Sequence, residues 1–236
     1  MPNRKPQLSR RHFSQLAFSL TAGVGVLPNS TAVGQQGQSF SGTHKQALQR
    51  LEAGNQRFVA GKLRHPHLGN DWRKRLAAAQ NPFATILGCS DSRVPPELLF
   101  DQGFGDLFVI RVAGNVIDTD VTGSVEYGVD HLKTSLVVVM GHDGCGAVTA
   151  ALQAKEDLAT EPNEIQSLVG KIIPATKSVD RKLNFPERLR LSVEANVLCS
   201  VQQLQAVPDL AKAEKLGVTK IIGCVYDIET GRVRTL

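Results

Sequence analysis

The sequence predicts an α/β fold, a mainly parallel β-sheet flanked by helices, on three observations. Four short apolar runs, Ala84–Leu87, Leu107–Val112, Leu136–Met140 and Lys220–Tyr226, lack a clean polar–apolar alternation, as expected of parallel strands buried on both faces. Stretches with helical periodicity separate or flank these runs, the pattern of strand–helix–strand units. Two of the runs lead directly into clusters of Cys, His and Asp. A parallel sheet places its working residues there, in the crevice beyond the carboxyl ends of its strands.

Residues 1–34 read as an export signal rather than as part of the fold. Arg4, Lys5, Arg10 and Arg11 precede a mildly apolar stretch from Leu16 to Leu27, and Ala32-Val33-Gly34 offers a small-residue cleavage site before Gln35. Ser9-Arg10-Arg11-His12-Phe13 is similar to a twin-arginine motif. Export to the periplasm is the expectation, with a thylakoid lumen or the extracellular space as alternatives. A basic amino tail that merely contains two arginines is the plainer reading. The apolar stretch is short and interrupted by Ser, Thr and Gly, so no stable membrane span is expected after cleavage.

Residues 35–44 then form a short linker, and 45–236 a single domain of comfortable size for a full core. Lys45–Val59 repeats Leu48, Leu51, Phe58 and Val59 at helical spacing, which predicts an amphipathic helix before the first strand. Ser124–Leu132 sets Val125, Val129 and Leu132 on one helical face, and a helix over Ala147–Lys155 follows the third run. Glu187–Gln205 repeats Leu189, Val193, Val197 and Leu204. Thr160–Pro162 reads as a surface turn, and Thr230–Arg234 as a turn leading into an alternating edge strand.

Composition narrows the function classes. With 42% hydrophobic and 21% charged residues the chain is an ordinary globular protein. The 27 basic and 22 acidic residues give a net charge of +5. The leader carries four of the bases and no acid, which leaves 23 against 22 in the domain and linker. The positive charge therefore gives no reason to expect a nucleic-acid partner.

The chemistry-bearing clusters are Cys89-Ser90-Asp91-Ser92-Arg93 and His142-Asp143-Gly144-Cys145-Gly146. Two thiolates and an imidazole make a donor set suited to zinc, and three protein ligands leave a fourth position for water or substrate. Cys89, His142 and Cys145 are the expected ligands of one Zn2+ per chain. Asp91 lies two residues after Cys89 and two before Arg93, so one turn can bring all three together. Paired with Arg93, the Asp91 carboxylate stays anionic and can accept a hydrogen bond from an attacking oxygen. A capping aspartate and a surface ion pair are the bland alternative. Asp143 is expected to stabilise its turn through the side chain.

Several blocks in order, not the clusters alone, resemble the β-class carbonic anhydrases. Cys-Ser-Asp-Ser-Arg at 89–93 and Gly-His-Asp-Gly-Cys-Gly at 141–146 are accompanied by Gly54-Asn55-Gln56-Arg57-Phe58, by Gly105 through Asn115, and by Gly123-Ser124-Val125-Glu126-Tyr127. The resemblance runs from about Ala47 to near Asp227. It implies a β-carbonic anhydrase-like fold and zinc-dependent, reversible hydration of carbon dioxide to bicarbonate and a proton. It implies that Asp91 and Arg93 form the catalytic dyad, and that Asp91 becomes the fourth zinc ligand in a closed form of some members. It further implies that Gln80, nine residues before Cys89, binds substrate through its amide, and that Gly144 leaves room beside the metal. Two chains usually build each cleft in this family, so at least a homodimer is implied. Members regulated by bicarbonate at a noncatalytic site commonly carry tryptophan three residues before the first cysteine. Ile86 stands there in this sequence, and strong bicarbonate inhibition is not expected.

Three alternatives stay open on the sequence. The same scaffold and ligands can hydrolyse carbonyl sulfide or carbon disulfide. A zinc-binding or redox-sensing protein without catalysis would keep its fourth position filled or use the two thiols as a switch. A Cys89–Cys145 disulfide would fit an exported protein but leaves His142 unexplained. Cys199 and Cys224 are expected to be packed core thiols, and His65, His67 and His131 receive no catalytic role.

Overall fold

Thr43 starts the first helix with a capping box: its hydroxyl accepts from the Gln46 N–H at 3.4 Å, while its own N–H donates to the Gln46 side chain at 2.8 Å. That helix, α1, spans His44–Val59 and buries Ala47 and Leu51. The structure, a computed structural model, describes residues 40–153 and 158–236. The expected export signal and the first half of the linker lie outside the described residues.

Five strands form one sheet in the order β2-β1-β3-β4-β5. β1 (Ala84–Gly88), β2 (Leu107–Arg111), β3 (Leu136–His142) and β4 (Lys220–Tyr226) are mutually parallel. β5 (Val233–Thr235) pairs antiparallel with β4 as the expected edge strand. β1 and β3 are buried along their whole length, which explains their uninterrupted apolar character. β2 corrects the expectation of burial on both faces: among the described residues it is the other edge strand, paired with β1 alone, and its residues are half-buried or exposed.

The chain leaves β1 toward β2 on one side and then returns to place β3 on the other side of β1. The sheet therefore reverses its winding between β1 and β3. The carboxyl ends of two such strands diverge from their outgoing connections and leave a crevice. Cys89 follows β1 and His142 ends β3, so both sit at that switch point.

Helices cover the two faces. After α1 come α2 (Asn70–Leu76), α3 (Pro96–Leu99) and α4 (Thr119–Asp130). Then follow α5 (Gly146–Gln153), α6 (Asn163–Thr176), α7 (Phe185–Gln205) and α8 (Pro208–Lys215). α4 begins five residues before the expected Ser124, because Asp118 caps it by accepting from the Val121 N–H at 2.9 Å. α6 follows directly on the expected surface turn at Thr160–Pro162 and buries Val169, Ile172 and Ala175. Among the described residues no helix is long and apolar enough to cross a membrane.

Candidate active site

The three expected ligands converge. Cys89, His142 and Cys145 are buried, and their donor atoms all lie within 4.8 Å of one another. Cys89 is delivered by the end of β1, and His142 is the last residue of β3. Cys145 stands immediately before α5, whose Thr149 N–H donates to its carbonyl. The turn between His142 and Cys145 is tight because Gly144 adopts φ +66°, a conformation that costs a residue with a Cβ. The Asp143 N–H anchors this turn by donating to the Tyr226 carbonyl at 2.9 Å.

The imidazole is fixed from behind. Nδ1 of His142 donates to the Asp143 carbonyl at 3.0 Å, which sets the tautomer and turns Nε2 toward the thiols. That Nε2 is fully buried and has no hydrogen-bond partner. A buried acceptor without a partner is costly, and a metal ion among two thiols satisfies it. The donor set and this orphaned nitrogen fit zinc with Cys89, His142 and Cys145 as ligands.

Cys89 is the more acidic thiol. A hydrogen bond from the Cys145 thiol lowers its pKa to about 4 against the opposing effect of burial. His142 and the main-chain N–H groups of Gly114 and Asp91 act in the same direction. Those two N–H groups lie 3.3 and 3.4 Å from the sulfur. Cys145 moves the other way, raised by the hydrogen bond its thiol gives Cys89, then by burial and by the charge on Cys89. Gly114 is required where it stands: its φ is +66°, and a Cβ would come within 2.6 Å of Ile172.

Asp91 and Arg93 form the expected pair at the rim of the cluster. The Asp91 carboxylate accepts from Arg93 Nη2 at 2.7 Å, from Nε at 2.9 Å and from the main-chain N–H at 3.0 Å. This bidentate contact with the guanidinium holds the carboxyl well below the ordinary carboxylate range. Oδ2 of Asp91 is also 3.8 Å from Nε2 of His142, so the carboxylate borders the ligand set without joining it. The capping alternative leaves that position unexplained.

Gly144 is exposed, and a Cβ there would meet no atom within 4 Å, so space is open beside the metal ligands. Gln80 is exposed and precedes β1, at the opposite end of that strand from Cys89. β1 alone separates the two ends by roughly 13 Å at the rise of a strand. Asp143 corrects the expectation of a turn-stabilising side chain: its Oδ1 is buried without a hydrogen bond. Burial, reinforced by the Asp227 carboxylate, raises its pKa.

Cys89 and Cys145 are not bridged, and Cys199 is half-buried rather than a core thiol, whereas Cys224 is packed inside. His67 stacks on Trp72 at 3.9 Å and pairs with Asp106 at 2.7 Å, away from the metal ligands. His131 caps the end of α4 in solvent. Ile86 is fully buried inside β1. Two residues beside the site were missed in the sequence: Gly114, which donates to a ligand sulfur, and Arg111, whose guanidinium reaches the main chain of the first cluster. Both fall in the block from Gly105 to Asn115, which carried a resemblance but no assigned role.

Known proteins agree with this geometry. A sequence model of the family described as carbonic anhydrase matches residues 84–233. A carbonic anhydrase of Mycolicibacterium smegmatis is 42% identical over 188 residues, covering 79% of this chain and 90% of that protein. Carbonic anhydrase 2 of Mycobacterium tuberculosis is 40% identical over 191 residues, covering 79% and 89%. Among solved structures, the β-carbonic anhydrase CcaA matches with a TM-score of 0.66 at 28% identity, over 80% of this chain and 94% of that one. A tetrameric β-carbonic anhydrase of Sordaria macrospora matches with a TM-score of 0.65 at 25% identity, over 81% and 97%. With its ligand triad at the switch point and these matches over most of its length, the chain belongs to the β-class carbonic anhydrase family.

Proposed function

We infer that the protein catalyses the reversible hydration of carbon dioxide to bicarbonate and a proton with one zinc per chain. The observation that carries this reading is the buried Cys89–His142–Cys145 triad with the Asp91–Arg93 pair 3.8 Å away. Zinc supplies the Lewis acidity that makes a water nucleophilic near neutral pH. Asp91 accepts a hydrogen bond from the attacking oxygen and so aims its free electron pair at carbon. Arg93 holds that carboxylate in place and charged. Cys145 and Cys89 neutralise the cation, and His142 keeps its orientation through Asp143.

The relatives are named for carbon dioxide chemistry, which favours that substrate over carbonyl sulfide or carbon disulfide. Gln80 is proposed to bind bicarbonate through its amide, serving the cleft of a second copy, since β1 holds it away from its own. At least a homodimer is proposed on the same ground, in line with the tetrameric description of the Sordaria relative. Export through residues 1–34 is proposed from the paired Arg10-Arg11, the apolar stretch and the small-residue exit.

The test is zinc content together with stopped-flow hydration of CO2. Cys89→Ser, His142→Ala and Cys145→Ser are each expected to lose zinc and activity in parallel, from about one zinc per chain in the native protein. Full metal retention by all three variants would overturn the ligand assignment. Faster turnover of carbonyl sulfide than of CO2 would overturn the substrate.

A further inference from the structure

The loop from Cys89 to Arg93 leaves the sheet abruptly, and its main-chain carbonyls lose the strand partner they would otherwise have. Gly88 is in register with Arg111 on β2, and the Val112 N–H makes the last ladder bond to the Gly88 carbonyl at 3.1 Å. Beyond that point the Val94 N–H reaches the Asp91 carbonyl at 3.1 Å within the turn, and the side chain of Arg111 supplies the donors from the sheet. Its Nε donates to the carbonyl of Cys89 at 2.9 Å, and its Nη2 donates to the carbonyl of Asp91 at 2.5 Å. One rigid guanidinium thus bridges a metal ligand and the dyad carboxylate's own residue.

We propose that Arg111 is a positioning residue that fixes the main chain of Asp91, so that the carboxylate stays on Arg93 beside the metal and does not swing onto it. Asp91 is poised for that swing, with Oδ2 already 3.8 Å from a ligand nitrogen. Its side chain is held by Arg93 through a bidentate contact whose guanidinium stands half exposed at the rim. Its carbonyl is held within the turn by the Val94 N–H and from a neighbouring strand by Arg111, which alone of the two ties it to the sheet, in a direction that Arg93 does not control. The two arginines have separate roles, one binding the carboxylate and the other the peptide that carries it. Asp91 N–H also rests on the Cys89 sulfur, so a displaced Asp91 would disturb a ligand as well.

The inference rests on Asp91 acting as the reading above has it, and the experiment separates the two. Arg111→Ala, Arg111→Lys, Asp91→Ala and the Arg111→Ala/Asp91→Ala double variant are compared for zinc content, CO2 hydration and the visible spectrum of the cobalt-substituted protein. Arg111→Ala is expected to keep its metal and lose about tenfold to hundredfold in kcat, the usual effect of removing a residue that orients a metal site. Its cobalt spectrum should differ from the native one, and adding Asp91→Ala should abolish that difference. In the double variant the loss should equal that of Asp91→Ala alone, because a residue acting through Asp91 has nothing left to position. Arg111→Lys, which keeps the charge but cannot bridge both carbonyls, should fall between, and it carries the same cycle if the alanine variant does not fold. Losses that multiply in the double variant, or a native cobalt spectrum in both single Arg111 variants, would overturn the proposal. Full activity in Asp91→Ala would instead remove the dyad reading, and this inference with it.

Discussion

In the role proposed for it Asp91 needs both charge and aim, and the environment supplies them separately. Arg93 depresses its pKa, so the folded-state carboxylate is ionised at every pH where such an enzyme works. Without Arg93 the carboxyl would return toward the ordinary value of about 3.9, still far below neutrality. Charge would survive the substitution while aim would not. Arg93→Ala is therefore expected to retain zinc and lose about tenfold to hundredfold in kcat. The shape of its pH–rate profile should be unchanged between about pH 6 and 9, because Asp91 does not titrate there in either protein. Stopped-flow hydration across that range checks it, and a new acid limb would show that Arg93 governs charge after all. The Cys89, His142 and Cys145 cluster and the Asp91–Arg93 contact were legible in the sequence because each residue is chemically distinctive and lies within one of two short clusters. Arg111 and Gly114 were not, because they act on a carbonyl and a sulfur through a guanidinium and a backbone N–H. Asp143 was misread for a related reason: its surroundings are set by Asp227, Arg234, Arg190 and Glu194, all distant in sequence.

At the scale of elements, the apolar runs of β1, β3 and β4 announced themselves because burial on both faces leaves few polar residues in them. α6 went unseen because Glu161-Pro162-Asn163 reads locally as a turn, although Pro162 stands at the N-cap of a helix. Asn55 illustrates what periodicity misses. It sits on the buried face of α1 as a polar residue, donating to the Leu99 and Gly231 carbonyls at 3.1 and 2.9 Å and accepting from the Val233 N–H at 3.0 Å. α1 is thus tied to both α3 and β5. A second tie is Asp101, almost wholly buried, which accepts from Arg57 at 2.5 Å and from the Arg64 and His65 N–H groups at 3.0–3.1 Å. Burial opposes the charged form, but these donors outweigh it and its pKa is lowered. A depressed carboxylate stabilises the fold above its unfolded pKa, and that contribution is lost as pH falls through the folded value. Asp101→Ala is expected to cost about 3 kcal/mol at neutral pH, at the lower end for a broken buried pair because Arg57 is partly wet. Urea denaturation at neutral pH and below about pH 4 checks the sign, since the gap from the native protein should narrow on acidification. A gap that is constant or widens would show that packing, not charge, dominates at Asp101.

For the molecule as a whole, one chain presents an asymmetric sheet. The metal ligands crowd the carboxyl ends of β1 and β3, while β2 is left as an open edge with half-buried Leu107, Val109 and Ile110. Phe104 and Leu98 stand about half exposed beside its amino end. Gln80 belongs to that same amino-terminal side of the sheet, away from its own Cys89. If Gln80 binds substrate, geometry makes it do so for another copy, so that catalysis and assembly depend on one contact. Two defective chains should then repair each other. A chain carrying Gln80→Ala keeps its zinc ligands, and a chain carrying Cys89→Ser keeps its glutamine. In a hybrid dimer purified through two different tags, the intact metal site of the first chain would receive Gln80 from the second. Its turnover per zinc is expected to return to the native value, whereas the Gln80→Ala homodimer stays weakened by about tenfold, the scale of losing one hydrogen bond to a charged group. Light scattering on the same samples confirms that chains are paired. Hybrids no more active per zinc than the Gln80→Ala protein would place Gln80 outside the cleft, and a fully active monomer would remove the need for a second chain.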